Sequence, residues 1–285
     1  MSDFMYIVWD MDPAMLTIGD FELRYYGLMW VVAILLGERI MTKFASREGF
    51  KSNIIETGFI WIVLGAILGA RIGHCLFYEF DYYITKPWAM LTEIRNGGMA
   101  SHGAAIGMLL GMWITARKYK MKYVWWLDRI MVPVAVGGMF VRLGNLFNSE
   151  IIGSETTMPW GFKFMRLRDN LGLPVEQVPV QHPTQLYEAL CYLVTFVVLL
   201  LLYFKGNAAQ RKPGLMFGVG VLGIFLSRFV IEFVKLNQED FEAGMFINMG
   251  QLLSLPFIAL ALWFIWRSLR GGFETSVADK WGNVR

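Results

Sequence analysis

Phe140-Val-Arg-Leu-Gly-Asn-Leu-Phe-Asn-Ser-Glu-Ile-Ile-Gly153 closes an otherwise apolar segment, and its polar residues are costly to keep there. On helical spacing Arg142, Asn145 and Ser149 recur at three and seven residues, and Asn148 falls on the same broad face. An arginine at the centre of a lipid-spanning helix costs about 2.5–3.5 kcal/mol even on the gentler insertion scales, so Arg142 is expected to point into a bundle or cavity and meet an anion there. A guanidinium fork suits a phosphate, and asparagine amides supply flanking donors. The plainer alternative is a helix cap with a snorkelling arginine.

Outward from this stretch the chain is a series of apolar blocks. It has 285 residues, 56% of them hydrophobic. A membrane span needs about 20 mostly apolar residues, and seven blocks qualify: 24–42, 55–77, 98–116, 124–146, 184–204, 214–234 and 248–266. The expectation is an all-α, polytopic integral membrane protein, a single membrane-embedded domain over 1–285 with seven transmembrane helices. Residues 1–23 form an N-terminal interfacial arm, 149–183 a small extracytoplasmic head and 267–285 a cytoplasmic tail.

Orientation is read from lysine and arginine near the span ends rather than from the net charge of +3. Arg39, Lys43, Arg47 and Lys51; Arg117, Lys118, Lys120 and Lys122; Lys205, Arg211 and Lys212; and Arg267, Arg270, Lys280 and Arg285 all fall on one side. The opposite loops hold only Lys86, Arg95, Lys163, Arg166, Arg168 and Lys235. The N-terminus is therefore expected outside and the C-terminus in the cytoplasm of a plasma membrane. Asp3, Asp10, Asp12 and Asp20 with no basic residue are the reverse of a leader's n-region, so no cleavage is expected. Cys75 and Cys191 read as small buried apolar residues, and neither a metal site nor a cofactor is expected.

Along the chain, Phe4, Tyr6 and Trp9 make the arm aromatic enough to lie at the outer interface, and Tyr26 brings a hydroxyl to the outer end of the first span. Gly65, Gly69 and Gly73 give the second span one close-packing face, and Arg71, His74 and Tyr78 occupy another. After the Gly97-Gly98 break, His102 stands among small residues near the outer face, where imidazole is suited to proton transfer or is a satisfied structural group. The proline-bearing head, with its charged run Lys163 to Asp169, adjoins the Arg142 stretch and so reads as substrate-facing. His182 and Glu188 flank the start of the fifth span as supporting or capping groups. In the sixth, Arg228 and Glu232 lie one turn apart and can pair, or Arg228 can join Arg142 around one phosphate.

No Gly-x-Ser-x-Gly elbow, P-loop, paired carboxylate or metal-spaced cluster is present, which removes serine hydrolases, nucleotide hydrolysis and metalloproteases from the leading readings. Anion handling at the lipid boundary remains. Arg142, Arg228 and Arg71, with Asn145 and Asn148, can bind a phosphate, and His102, Tyr26 or Glu150 can move a proton. A phospholipid headgroup is the natural ligand; a transporter of an anionic or lipid-like substrate is the alternative, although seven spans do not divide into equal repeats. No nucleic-acid partner is expected.

Val-Arg-Leu-Gly-Asn-Leu-Phe-Asn-Ser-Glu (141–150), with Tyr-Tyr-Gly-Leu-Met (25–29), Gly-Gly-Met-Ala-Ser-His-Gly (97–103), His-Pro-Thr-Gln-Leu-Tyr-Glu (182–188) and Arg-Phe-Val-Ile-Glu-Phe (228–233), resembles the prolipoprotein diacylglyceryl transferases over nearly the whole chain and in order. The resemblance implies transfer of the diacylglyceryl group of phosphatidylglycerol to the lipobox cysteine in a bacterial prolipoprotein's signal peptide, forming a thioether and releasing glycerol phosphate. It carries importance onto Tyr26, His102, Arg142, Asn145, Glu150, Gly153 and Arg228. The expected catalytic residues are thus His102, Arg142, Arg228 and Tyr26, and the phosphatidylglycerol site Arg142, Asn145, Asn148, Glu150, Gly153 and Arg228. Arg71, His182 and Glu232 are expected to support them. Two positions depart from the family pattern: Ile224 stands where a tyrosine is frequent, and Ala104 where a glycine is.

Overall fold

The structure, a computed structural model, describes residues 5–19, 21–93, 98, 100–167, 172, 174–236 and 247–273, with backbone alone at Leu91 and Ser101. Asp3, Phe4, Asp20, Arg95, Gly97, Arg168, Asp169, Lys280, Arg285 and the tail from 274 onward lie outside the described residues. In chain order the elements are β1 (Ile7–Trp9), β2 (Ala14–Ile18), β3 (Phe21–Arg24), α1 (Tyr25–Arg47), α2 (Ser52–Phe77), α3 (Phe80–Thr85), α4 (Ala89–Thr92), α5 (Ser101–Lys118), α6 (Tyr123–Phe147), β4 (Phe162–Phe164), β5 (Val180–Gln181), α7 (Thr184–Phe204), α8 (Ala208–Arg211), α9 (Leu215–Ile231) and α10 (Met249–Leu269). The described residues form two compact units, one of those up to Gly37 together with those from Asp128 onward, the other of those within Glu38–Leu127.

Each apolar block expected to span lipid coincides with a long helix: α1, α2, α5, α6, α7, α9 and α10. Among the described residues five helices are long and apolar enough to cross a membrane: Ser52–Phe77, Tyr123–Phe147, Thr184–Phe204, Leu215–Val234 and Met249–Leu269. The other two are less apolar for identifiable reasons. The second half of α1 carries Glu38, Arg39, Lys43 and Arg47, and the 18 residues of α5 end in Arg117 and Lys118.

In the second unit α2 and α5 pack backbone to backbone. A Cβ on Gly65 would overlap the Gly107 carbonyl, and one on Gly69 the Gly103 carbonyl. Lipid gives two apolar helices no hydrophobic reason to associate, so dispersion contacts through small residues carry the packing. In the first unit α9 starts at Gly214, whose φ of 88° suits glycine, and its first turn is held from α6. Asp128 there is fully buried and accepts the amides of Gly214 (2.8 Å) and Phe217 (2.9 Å), satisfying orphan N–H groups and opposing the helix dipole. A capping box between Asn248 and Gln251 opens α10, and Phe225 stacks on Phe257 at 4.2 Å to join α9 to α10.

The all-α expectation needs correction, because two small sheets lie outside the long helices. In the arm, β2 and β3 pair antiparallel as a hairpin about Gly19, which has φ 59°. Ala-Met-Leu-Thr-Ile, then Gly-Asp, then Phe-Glu-Leu-Arg carries the two-residue glycine-turn signal of a hairpin, and its short apolar runs match a strand as readily as an arm of another kind. The other sheet has the order β1–β4–β5, with β1 parallel to β4 and β4 antiparallel to β5, so the start of the arm is built into the head. Trp9, Phe162 and Phe164 pack with Leu146, and Trp9 Nε1 donates to the Leu146 carbonyl (3.1 Å) at the end of α6. That bond is a second one on a carbonyl that already accepts the Ser149 amide (3.0 Å), and it anchors the head at the polar end of the helix.

Gly107→Val puts branched carbon into the Gly65 carbonyl, where only backbone could yield, and is expected to lower stability by about 1–3 kcal/mol or more. Gly27→Ala, with open space at its Cβ, is expected to have little effect. The comparison is the thermal midpoint of each purified protein in detergent.

Candidate active site

The polar face predicted for the end of α6 is present and its partner is a carboxylate on α7. Arg142 Nε pairs with Glu188 Oε2. Glu188 is fully buried, and its other oxygen accepts from Lys235 Nζ at 2.6 Å. Lys235 in turn reaches Glu232 Oε2 at 3.1 Å. The result is a row of alternating charge, Arg142–Glu188–Lys235–Glu232, buried at its last three members and mostly buried at Arg142. Burying ions this deeply is tolerable only when each is paired, and removing one member of such a row leaves an uncompensated charge. Tyr192, also on α7, hydrogen-bonds Arg142 and lies within the electrostatic reach of Arg228.

A second layer of contacts runs from Arg142 towards the head. Its Nη1 donates to Asn145 Oδ1 (3.2 Å), and Asn145 Nδ2 donates to Glu150 Oε1 (2.7 Å). Asn148 Nδ2 donates to the same oxygen at 3.1 Å. Glu150 itself is exposed, between Ser149 (φ 52°) and Ile151 (φ 58°), two left-handed residues of which the β-branched isoleucine is especially unfavourable. The opening turn of α7 holds this bend: Thr184 Oγ1 donates to the Ile151 carbonyl (2.7 Å) and Gln185 Nε2 to the Glu150 carbonyl (2.6 Å).

Gly153 is held by backbone contacts. It lies in an extended segment between residues 180–182 and 234–236: its amide donates to the His182 carbonyl (2.9 Å), Ser154 N to Val234 O (2.8 Å), and Gly153 forms a bridge with Lys235. A Cβ here would meet His182 Cβ and Val234 O, each at 2.6 Å. Tyr26 packs on Gly144, where a Cβ would come within 2.8 Å of its ring, and Tyr25 stacks on Phe147 at 4.5 Å. His182 Nδ1 lies 3.0 Å from the Tyr187 hydroxyl, which accepts from Trp160 Nε1 (2.9 Å).

Arg142, Asn145, Asn148 and Glu150 are thus in direct contact, with Tyr26, Gly153, His182, Arg228 and Glu232 in the same unit. The anticipated turn-spaced pair is replaced, for Glu232, by Lys235. His102 and Arg71 belong to the other unit. The His102 side chain is exposed at the start of α5. Arg71 is buried and spends its donors on the 83–98 region: Nε on the Met90 carbonyl (2.8 Å), Nη2 on the Tyr83 hydroxyl (3.1 Å) and Nη1 on the Gly98 carbonyl (3.4 Å). Sequence reasoning gave Glu188 a minor part, counted Lys235 only as a loop charge, and passed over Thr184, Gln185 and Tyr192. The available signal was Thr184, Gln185 and Glu188 crowded into the first five residues of an otherwise apolar span.

Burial lowers the His182 pKa below its ordinary 6.5, so the fold favours neutral imidazole. Stability is then complete above the unfolded value of 6.5 and is lost as pH falls from there through the lowered folded value. His182→Gln is expected to flatten that loss in a pH series of thermal midpoints, whereas an unchanged slope would contradict it.

A family model described as prolipoprotein diacylglyceryl transferase matches residues 13–267. Among curated relatives, the chain is 42% identical to the phosphatidylglycerol–prolipoprotein diacylglyceryl transferase of Porphyromonas gingivalis, over 93% of this chain and 95% of that protein. The similarly named protein of Chloroherpeton thalassium is 37% identical over 95% of this chain and 97% of its own length. That of Bacteroides fragilis is 36% identical over 91% and 94%.

Proposed function

The chain belongs to the prolipoprotein diacylglyceryl transferase family, and from that premise we propose that the Arg142 cluster is where a diacylglyceryl group leaves phosphatidylglycerol for the lipobox cysteine of a prolipoprotein signal peptide. The protein is a membrane-bound transferase of bacterial type, and the transporter alternative is not favoured. The observation that carries the site assignment is Arg142 itself: a mostly buried guanidinium fixed through Nε, with Asn145 on one terminal nitrogen and a hydrogen bond to Tyr192, which also feels the charge of Arg228.

In the reaction the cysteine sulfur forms a bond to the glyceryl carbon that carries the phosphate ester. The carbon–oxygen bond breaks, its electron pair stays on the phosphate, and glycerol phosphate departs. One phosphodiester charge and one thiolate charge end as two charges on the leaving group, so negative charge grows at the phosphate. Arg142 and Arg228, preorganised there, stabilise that growth more than they stabilise bound substrate. Asn145 and Asn148 hold Glu150 at the substrate-facing edge of the site, where its exposed carboxylate receives hydroxyl or thiol donors. A cysteine thiol has a pKa near 8.5, so a proton acceptor aids thiolate formation; His102, Tyr26 and Glu150 are the groups for that role. Gly153 keeps the head strand close to the Lys235 backbone, and His182 and Glu232 support the same layer.

In the membrane, all seven long helices cross, with the N-terminus and the 149–183 head outside, the 1–23 arm at the outer interface and the 267–285 tail in the cytoplasm. The test of activity is purified protein with phosphatidylglycerol vesicles and a lipobox peptide: the peptide gains the mass of one diacylglyceryl group, and a folded preparation that leaves its mass unchanged contradicts the reading.

Two expectations follow from this arrangement. Arg142→Lys keeps the charge but loses the fork that reaches Glu188 and Asn145 together, and transfer is expected to fall by about 10²-fold. Near-normal turnover in the folded variant would mean that the field alone suffices. A reporter fused after Lys120 should be cytoplasmic and one inserted at Gly172 external; the same side for both would refute the crossing pattern.

A further inference from the structure

We propose that Thr184 and Gln185 are positioning residues for transfer: they hold Glu150 in a strained turn with its carboxylate turned towards substrate. The proposal rests on the reading of Glu150 as the substrate-facing carboxylate. Ser149 and Ile151 have φ of 52° and 58°, a region that non-glycine residues enter rarely and β-branched residues least of all. Such strain persists only where surrounding contacts over-determine it. Here the contacts are specific. The Thr184 hydroxyl grips the Ile151 carbonyl at 2.7 Å and the Gln185 amide grips the Glu150 carbonyl at 2.6 Å, the two consecutive peptide oxygens of the bend.

Both tethers come from the rigid first turn of α7 and are buried, 0% and 1% exposed, while the residue they fix is exposed. Glu150 is secured from the other side by Asn145 and Asn148, which share its Oε1 and leave Oε2 outside those two bonds. Backbone tethers set where the carboxylate stands and amide tethers set how it is turned. Without the Thr184 hydroxyl, Ile151 is free to relax to negative φ, which rotates the Glu150 side chain away from Asn145. The next turn of the same helix begins with Glu188, the partner of Arg142, so one helix sets both the cation and the carboxylate.

The test is a double-variant cycle in the full-length purified protein, with phosphatidylglycerol vesicles and a lipobox peptide under single-turnover conditions. Thr184→Val removes the donor and keeps the shape; it is expected to lower transfer about 10²-fold, with Thr184→Ser within about twofold of wild type. In a Glu150→Gln background the same Thr184→Val change is expected to have no further effect, because the group it positions is already disabled. Losses that multiply in that background, with Glu150→Gln itself impaired, overturn the positioning role and leave the Glu150 assignment standing. A Glu150→Gln protein with the wild-type rate overturns both. If Thr184→Val does not accumulate as folded protein, Gln185→Met, which cuts the other tether, carries the same cycle with the same two outcomes.

Discussion

A fully buried carboxylate, Glu188, holds two cations from different parts of the chain, Arg142 from the end of α6 and Lys235 from the segment after α9. An ion so deeply buried is unfavourable unless its charge is matched, and breaking such a pair by removing one partner typically costs about 3–5 kcal/mol. With Glu232 on the far side of Lys235 the row contains two cations and two carboxylates and is neutral within itself. Its stability therefore does not depend on substrate. It holds an arginine whose Nε is occupied, whose Nη1 reaches Asn145 and which also hydrogen-bonds Tyr192.

The small head completes this arrangement through backbone rather than side-chain chemistry. Residues 152–156 run between the 180–182 and 234–236 segments, and Gly153 is at the point where a methyl group would strike both neighbours. The ladder bridges Lys235 to Gly153 with its Nζ on Glu188 of α7, while Trp9 pins the end of α6 through the Leu146 carbonyl. Strands too short to be stable alone are thus used as clasps between helix ends, and the charge row sits where three of those ends meet.

The long helices were legible because a lipid-spanning block leaves a strong compositional signal, and α1, α2, α5, α6, α7, α9 and α10 stand at the apolar blocks. The strands were not, because two to five residues give too little periodicity to compete with a neighbouring span. In the site, Arg142, Asn145 and Asn148 were legible since helical spacing alone puts them on one face. Glu188 and Lys235 are 47 residues apart, and nothing local announces that one will neutralise the other. Lys235 even misled, because at a span end it reads as a topology charge rather than a buried one. Arg71 had the opposite fate: its helical neighbours suggested a cavity, but its donors are taken by carbonyls of the 89–98 region and the Tyr83 hydroxyl.

A clamp on Arg142 and a counter-ion for Lys235 are distinct roles for Glu188, and the double variant Glu188→Gln with Lys235→Met separates them. Removing both charges keeps the row neutral, with Arg142 and Glu232 as its remaining cation and carboxylate, whereas either single change leaves a net charge, so folded yield should exceed that of either single variant. The decisive reading is the transfer rate of that folded double variant from phosphatidylglycerol to a lipobox peptide. A rate about 10²-fold or more below wild type is predicted, since Arg142 has lost the carboxylate that aims it; a rate near wild type would contradict the claim that this carboxylate positions the arginine.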